Sequence, residues 1–213
     1  RRGVALRARA LRSAAQVYNP YHVIGELDGQ ATLQVPGLNA LDLDWALLRA
    51  SATLARPLPE RVSLEADAVT LRLDEPGGTA PPMGSAERIE LHFRPVGPDA
   101  DLAARYAGLQ LGADVLAASL PPLQGLIDLS IVDGAARPSL DNLRGRAATI
   151  RTATVSIDDE TGITVSGPVS VRDDGLVDAE LQVTVRNPAR IGELLAEFLP
   201  DMRQEIELSV SGL

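Results

Sequence analysis

The sequence lacks several residue types, and each absence excludes a class of chemistry. Among its 213 residues there is no cysteine, so disulfide bonds, thiolate nucleophiles and cysteine-ligated metals are excluded. There is no lysine either, since all 20 basic residues are arginines, and this excludes a mechanism that depends on a Schiff-base or P-loop lysine. Aromatic residues make up only 3% of the chain and hydrophobic residues 45%, so the predicted core is aliphatic.

The chain also lacks an excess of positive charge and long hydrophobic runs. The formal net charge of −9 argues against a general nucleic-acid binder, because such a protein needs a basic surface to displace counterions. No hydrophobic run reaches the length of a transmembrane helix or a signal peptide. The chain starts at Arg1 without a methionine, so we expect any N-terminal membrane anchor to precede it.

Apolar and polar residues alternate with a period of two along most of the chain, which is typical of strands with one buried face. About a dozen such segments and one clear helix predict a mostly β fold with a minor α contribution. We expect an antiparallel, curved sheet or meander with one or two helices packed on its apolar face. The sheet would form one elongated domain over residues 1–213, or two similar halves over about 1–112 and 113–213.

The clearest pattern lies between Arg146 and Leu199, where three amphipathic strands precede an amphipathic helix. Aspartate- and glycine-rich turns at 158–162 and 173–175 separate the strands. We predict that the apolar face of these strands forms a groove. Its candidate residues are Val155, Ile157, Val165, Val169, Val171, Leu181, Val183 and Val185. Such a surface suits acyl chains, because hydrophobic contact is non-directional and scales with buried area; the alternative is that these residues are simply core.

The helix of this stretch has a defined start. Asn187 is predicted to be its N-cap and Pro188 its first helical residue. Its apolar residues recur at helical spacing, and they are Ile191, Leu194, Leu195 and Phe198. Pro200 would end the helix, and residues 202–213 fit either a strand or a second helix.

The N-terminal third carries several turn signals. Because Asn-Pro favours turn initiation, we expect a structural turn formed by Asn19, Pro20, Tyr21 and His22, held by a hydrogen bond from the histidine. Asp28-Gly29 predicts a hairpin, and a bulge is one explanation of a slip in the alternation at Leu11.

No pattern in the chain is a catalytic or metal-binding signature. His22 and His92 are the only histidines and lie far apart in sequence, so a histidine-based metal site is not expected. The acidic turns at 158–160 and 173–174 supply too few oxygens for calcium, which takes about six to eight. The G-x-S-x-G, G-x-G-x-x-G and P-loop motifs are missing. We therefore expect a protein that is not an enzyme and has no cofactor.

The letters from Val17 to Ile24, VYNPYHVI, resemble a signature of an alphaproteobacterial family known as domain of unknown function 2125. The C-terminal order of strand, glycine turn, strand and Asn187-Pro188 helix resembles the same family, and it also resembles the repeating units of AsmA-like envelope proteins. These families are typically anchored by one N-terminal membrane helix in the Gram-negative periplasm. The resemblance thus implies a periplasmic protein anchored in the inner membrane, with the anchor missing from this chain, and it implies no chemistry.

Two functions remain open. In the first, the apolar groove of a non-enzymatic periplasmic envelope protein binds, or helps to move, phospholipid or another acyl-chain lipid. In the second, the chain is a structural or protein-interaction module without a small ligand, and the strand from Leu41 to Leu47 around Trp45 is the candidate interface. An open apolar trough would favour the first function, and a closed, dry core would favour the second.

Overall fold

A computed structural model describes residues 5–8, 10–34, 40–74, 81–112, 120–136 and 143–198 of the protein. These residues form one large antiparallel sheet and one helix, which confirms the predicted mostly β fold. The strands are β1 (Ala5–Ala8), β2 (Leu11–Gln16), β3 (Asn19–Leu27), β4 (Gln30–Gln34), β5 (Leu41–Asp44), β6 (Leu47–Thr53), β7 (Arg61–Leu73), β8 (Gly84–Val96), β9 (Asp99–Leu111), β10 (Leu123–Ile131), β11 (Arg146–Ser156), β12 (Gly162–Val171), β13 (Val177–Ala179) and β14 (Gln182–Arg186), and the helix is α1 (Pro188–Phe198).

The chain runs through this sheet as a meander without a crossover. Four strands only continue the strand before them. β6 extends β5 because both pair with β7, and β14 extends β13 because both pair with β12. β4 extends β3 because they pair with β5 and β6, and β2 extends β1 because they pair with β4 and β3. The fourteen strands therefore make ten long antiparallel paths. The sheet also continues between the two predicted halves, since β9 pairs with β10; whether those halves are similar stays a prediction.

The interruptions between β3 and β4 at residues 28–29 and between β5 and β6 at residues 45–46 lie side by side in the sheet, next to an irregularity at Ala68 in β7. We call this line of irregular residues the break line. The Trp45 N–H donates to the Gly29 carbonyl at 2.9 Å, and the Ala46 N–H donates to the Asp67 carbonyl at 2.9 Å. Next to Asp67, Ala68 has a φ of 51°, a left-handed conformation that is uncommon for alanine. The break line thus runs from β3/β4 across β5/β6 into β7.

The apolar alternation changes phase at the break line, so the apolar face continues on the same side of the sheet. In β7, Leu64 and Ala66 precede the irregular residue Ala68, and Val69 follows it. One core cluster joins residues from both sides of the line: Ala31, Trp45, Leu48 and Ala66, with Leu27, Leu43, Leu64 and Val69 packed against them. The slip in the alternation at Leu11 falls where β2 begins, after β1 ends at Ala8, and a bulge there stays a prediction.

The predicted hairpin at Asp28-Gly29 is wrong. The chain does not reverse there, because β3 and β4 both continue along the same neighbouring path. The backbone of this dipeptide is bonded across the sheet instead: the Asp28 N–H donates to the Ala10 carbonyl at 3.0 Å, and the Gly29 carbonyl accepts the Trp45 N–H. Asp28 and Gly29 therefore form part of the irregularity in the sheet, and they do not reverse the chain.

The predicted turn of Asn19, Pro20, Tyr21 and His22 is also wrong in position, because all four residues belong to β3. The reversal is made by the two preceding residues, Val17 and Tyr18, and Asn19 already pairs with Gln16. Proline is tolerated near the start of a strand, which explains why the Asn-Pro signal did not place the turn. His22 does make a side-chain hydrogen bond, but across the sheet: its Nδ1 lies 3.3 Å from Thr53 Oγ1.

Trp45 belongs to the core and does not lie on an exposed strand. Its side chain is only 7% exposed, and its Nε1–H donates to the Leu27 carbonyl at 3.1 Å. The flanking strands β5 and β6 have partners on both sides. The interface predicted around Trp45 is therefore wrong, because this part of the sheet has no free edge.

The helix α1 begins as predicted. The Arg190 N–H donates to Asn187 Oδ1 at 3.3 Å, and Asn187 Nδ2 donates to Thr161 Oγ1 at 3.2 Å. Leu194 is buried but Leu195 is exposed, so the predicted apolar face is only partly buried. The side chain of Phe198 and residues 199–213, with Pro200, lie outside the described residues. That the helix packs on the apolar face of the sheet stays a prediction.

Candidate functional site

One face of the sheet is apolar at nearly every position. Residues that pair directly across antiparallel strands point to the same face, so the register defines rows that cross the sheet. One row crosses all ten paths: Leu11, Leu27, Leu48, Ala66, Ile89, Tyr106, Gly125, Val155, Ile163 and Val185. The next row on this face is Ser13, Gly25, Ala50, Leu64, Leu91, Ala104, Ile127, Ala153, Val165 and Val183. We call this surface the apolar face.

The opposite surface, which we call the polar face, carries charges in its rows. The row between the two just described is Arg12, Glu26, Arg49, Glu65, Glu90, Arg105, Leu126, Thr154, Thr164 and Thr184. Directly opposed charges are mostly of opposite sign, which stabilises cross-strand pairs. The sheet therefore presents a polar surface to water on one side only.

Ion pairs strengthen the polar face on β7 and β8. Arg88 Nε donates to Glu90 Oε1 at 2.7 Å, and Arg88 also pairs with Glu65 and with Asp67. The hydrogen bond from Arg88 lowers the pKa of Glu90, and the same bond raises the pKa of Arg88. These contacts are exposed, so each contributes little alone, but together they keep this face charged and hydrated.

The apolar face is not closed over its whole area. Several of its large side chains remain exposed: Leu91 is 39%, Ile127 is 37%, Val155 is 45% and Val183 is 56% exposed. These residues belong to the two apolar rows, so the exposure follows the face from β8 to β14. Contiguous exposed apolar surface of this kind marks a binding site more often than a scattered apolar residue does.

A cavity of about 430 Å³ lies on the apolar face near one end of β8 to β12. It is lined by Phe93, Ala100, Leu102, Leu129, Ile131, Gly134, Leu143, Arg146, Ala147, Ala148, Val169, Ser170 and Val171. Ligand pockets commonly have volumes of roughly 300–1,000 Å³ and are mostly apolar. In size and lining the cavity is therefore suited to an apolar ligand.

A turn at residues 132–136 folds over the end of the apolar face and bounds the cavity. The N–H groups of Ala135 and Ala136 donate to the Pro98 carbonyl at 2.9 and 3.0 Å. Gly134 lies so close to Ala100 that a Cβ on the glycine would be 2.9 Å from the Ala100 Cβ. Glycine permits this close approach, which leaves Ala100 buried beneath the turn.

The eight predicted groove residues fall into three groups. Val169 and Val171 line the cavity. Val155, Val165, Val183 and Val185 lie in the two apolar rows beside it. Ile157 lies in the turn after β11, where its N–H donates to the Thr161 carbonyl at 3.2 Å, and Leu181 lies between β13 and β14, so neither residue belongs to a strand.

Sequence reasoning did not assign the other cavity residues, among them Phe93, Leu102, Leu129 and Ile131. Their alternation in β8, β9 and β10 was visible in the sequence. What brings them to the same place is the register, in which Phe93 pairs with Leu102 and Leu102 with Leu129. No signal in a single sequence fixes such a register across three strands.

The carboxylate of Asp158 forms hydrogen bonds within the acidic turn that follows β11. Asp158 Oδ1 accepts the N–H groups of Glu160 at 2.9 Å and Thr161 at 2.6 Å, so the carboxylate serves the turn. Desolvation acts to raise the pKa of Asp158, but these backbone hydrogen bonds outweigh it and lower the pKa. Within the described ranges there is no group of three or more potential metal-ligating side chains.

His92 lies on the polar face and is exposed, with its Nδ1 3.0 Å from Ser63 Oγ. In the part of the chain that the structure describes, no helix has the length and apolarity needed to cross a membrane.

Comparison with known proteins adds a family but no activity. Neither the curated proteins nor the solved structures include a match to this chain. The relation to AsmA-like envelope proteins stays a prediction. The family described as "Uncharacterized protein conserved in bacteria (DUF2125)" matches residues 1–212, so the chain belongs to that family, as the VYNPYHVI segment predicted.

Proposed function

We propose that this protein is a non-enzymatic component of the bacterial cell envelope that binds acyl-chain lipid on the apolar face of its sheet. The lipid's chain lies in the cavity and along the adjoining apolar rows. We further propose a periplasmic location with an inner-membrane anchor that precedes the chain. This location rests on the family resemblance alone, whereas the lipid-binding role rests on the geometry of the sheet.

The observation that carries the proposal is the open apolar face. An amphipathic sheet normally buries its apolar side against a second layer. Here Ile127, Val155 and Val183 lie in continuous apolar rows and are still exposed to solvent. Acyl chains match such a surface, because their contacts need no hydrogen-bonding geometry and their favourable free energy scales with the buried area.

The expected free energies are large enough for binding. Each buried methylene contributes about 0.8 kcal/mol, so a chain that buries about ten of them gains roughly 8 kcal/mol before the costs of association. Those costs are several kcal/mol, so the 430 Å³ cavity alone supports modest affinity. The adjoining rows would increase it.

Native mass spectrometry of the gently purified protein, followed by lipid extraction, tests the proposal. We expect co-purifying phospholipid or fatty acid. Ala148→Phe fills the cavity, because Ala148 lines it, and should greatly reduce the lipid-bound mass. Thr149→Phe is the matched control, since Thr149 is the next residue along β11, is exposed and points to the polar face.

Lipid loss in Ala148→Phe with retention in Thr149→Phe supports the proposal. The proposal is contradicted if the purified wild type carries no lipid and also fails to bind phospholipid or oleate when incubated with them. Circular dichroism of both variants shows whether a loss of lipid reflects a loss of fold. Protease added to spheroplasts of cells that express the protein with its anchor tests the location, because a periplasmic domain is digested whereas a cytoplasmic one is protected.

The alternative function is a structural or protein-interaction module, and the open edges of the sheet favour it. Within the described residues, β2 pairs only with β3, and β13 and β14 pair only with β12. Unpaired edges accept a strand from a partner protein. A protein that stays lipid-free but captures a specific partner, and loses it when a proline replaces Ala14 in β2, would favour this alternative.

A further inference from the structure

One charged residue interrupts the apolar face. Arg146 is the first residue of β11 and pairs with Val171, which in turn pairs with Val177, so its row is otherwise apolar. Among the described residues that line the cavity, Arg146 is the one that carries a charge. In the two apolar rows described above no residue is charged. The presence of a cationic side chain on this apolar surface therefore needs an explanation.

The place of Arg146 relative to the cavity suggests the reason. It lies at the end of the strands, beside Leu143 and the turn at 132–136, so the cavity has an apolar body and a cationic end. Arginine commonly lays its aliphatic stem along apolar surface and keeps its guanidinium where it can be solvated or paired. A site with these two parts is complementary to an amphiphile whose chain is apolar and whose head is negative.

We propose that the cavity takes an amphiphile with an anionic head, whose carboxylate or phosphate contacts the Arg146 guanidinium while its acyl chain lies over Leu102, Leu129 and Val169. This inference rests on the proposed function and names the ligand class. Arg146 already takes part in an interaction of its own. A guanidinium carries several N–H donors in a planar fork, so it can keep that interaction and bind an oxyanion as well.

Displacement of a neutral apolar dye, N-phenyl-1-naphthylamine, from the delipidated full chain tests the proposal. The wild type should bind oleate about tenfold more tightly than oleyl alcohol, because a charge-assisted hydrogen bond favours the anion. Oleoyl lysophosphatidate and monooleoylglycerol give the same comparison for a phosphate head. If oleate is preferred over its neutral counterpart more strongly than lysophosphatidate is, the ligand carries a carboxylate, and the reverse result indicates a phosphate. Either result supports the proposal.

The variant Arg146→Gln should lower the affinity for oleate about tenfold and the affinity for oleyl alcohol much less. Arg146→Lys keeps the charge and should retain most of the preference for the anion. Arg105→Gln makes the same change of charge on the polar face, where Arg105 is exposed, and should leave both affinities at the wild-type value.

Equal binding of oleate and oleyl alcohol by the wild type overturns the proposal, and so does an unchanged preference in Arg146→Gln. Both results leave acyl-chain binding itself intact. If neither the dye nor oleyl alcohol binds, both the proposed function and the proposal of an anionic head group fail. Should Arg146→Gln not fold, the wild-type comparison of charged and neutral ligands still decides the question.

Discussion

Arg151 Nη1 lies 2.8 Å from Asp101 Oδ1, although the whole of β10 lies between their strands. The contact is possible because Arg151 lies where the register of β11 against β10 and β12 shifts, and its side chain crosses β10, where it also pairs with Asp128. Arg94 Nη2 lies 2.8 Å from the other carboxylate oxygen of Asp101. One ionic cluster thus links β8, β9, β10 and β11 on the polar face, directly behind the cavity.

This cluster predicts a pH dependence of stability. Hydrogen bonds from Arg151, and then from Arg94, lower the pKa of Asp101 from its ordinary value of 3.8 to about 2. Because the folded-state pKa is lower, the contribution is fully present above about pH 4 and is lost as the pH falls towards 2. We expect about 1 kcal/mol, less than the roughly 2.4 kcal/mol that the shift alone implies, because the arginines are half exposed and screened by solvent.

Urea unfolding at several pH values measures this contribution. Asp101→Asn should lower the free energy of unfolding near neutral pH and should flatten its decline between about pH 4 and 2. Asp178→Asn is a suitable control, because Asp178 is exposed and its ion-pair distance to Arg172 is 3.9 Å. An unchanged acid profile in Asp101→Asn would show that the cluster does not stabilise the fold.

Trp45 should be important for stability and not for an interface. Its ring lies in the core cluster at the break line, and its indole N–H is bonded to the Leu27 carbonyl. Trp45→Ala should cost about 3–5 kcal/mol through the cavity it leaves. Trp45→Phe should cost about 1–2 kcal/mol, mainly through the lost hydrogen bond and the smaller ring. Denaturant unfolding measures both, and a Trp45→Ala protein as stable as the wild type would place the side chain outside the core.

Gly167 should be far less tolerant of substitution than Gly97. Both have a positive φ, 136° for Gly167 and 61° for Gly97. A Cβ on Gly167 would collide with the Glu180 carbonyl oxygen, whereas a Cβ on Gly97 has no atom within 4 Å. Gly97→Ala should therefore cost only the left-handed strain, about 1 kcal/mol, and Gly167→Ala at least about 2 kcal/mol. Equal losses in thermal or urea unfolding would contradict the close approach of Gly167 to the Glu180 carbonyl between β13 and β14.

Val183 and Thr184 offer a matched test of the two faces. They are adjacent in β14, both are exposed, and their side chains lie on the apolar face and the polar face. Val183→Asp should reduce lipid binding several-fold, because it puts a charge where the chain would lie, whereas Thr184→Asp should not. Neither change should alter the free energy of unfolding by more than about 0.5 kcal/mol. Equal lipid occupancy in the two variants would show that the apolar face near β14 does not contribute.

The alternation in the sequence predicted the strands well, because the side-chain period of a strand is a local property. The strands β11 and β12 and the cap at Asn187 are where the residues indicated. The turn signals at Asn19-Pro20 and Asp28-Gly29 failed for a physical reason. Both dipeptides tolerate conformations that a strand also uses at its start or at an irregularity, and only pairing with neighbouring paths decides between a reversal and a break.

Only part of the candidate site could be predicted from the sequence. The sequence indicated an aliphatic face around Val169 and Val171, and the cavity does lie there. Five of its thirteen lining residues come from β8, β9 and β10. The sequence could not align these strands with β11 and β12, because register depends on contacts between distant residues. The charge of Arg146 was visible, but its place on the apolar face follows only from its pairing with Val171.

Photo-crosslinking with a diazirine-bearing fatty acid, followed by peptide mapping, tests the central claim most directly. We predict saturable labelling on the apolar face, at residues such as Leu129, Ile131 and Val169, that excess oleate competes away and that Ala148→Phe reduces. Labelling that does not saturate, or that falls equally on polar-face residues such as Thr164, would contradict lipid binding by the apolar face.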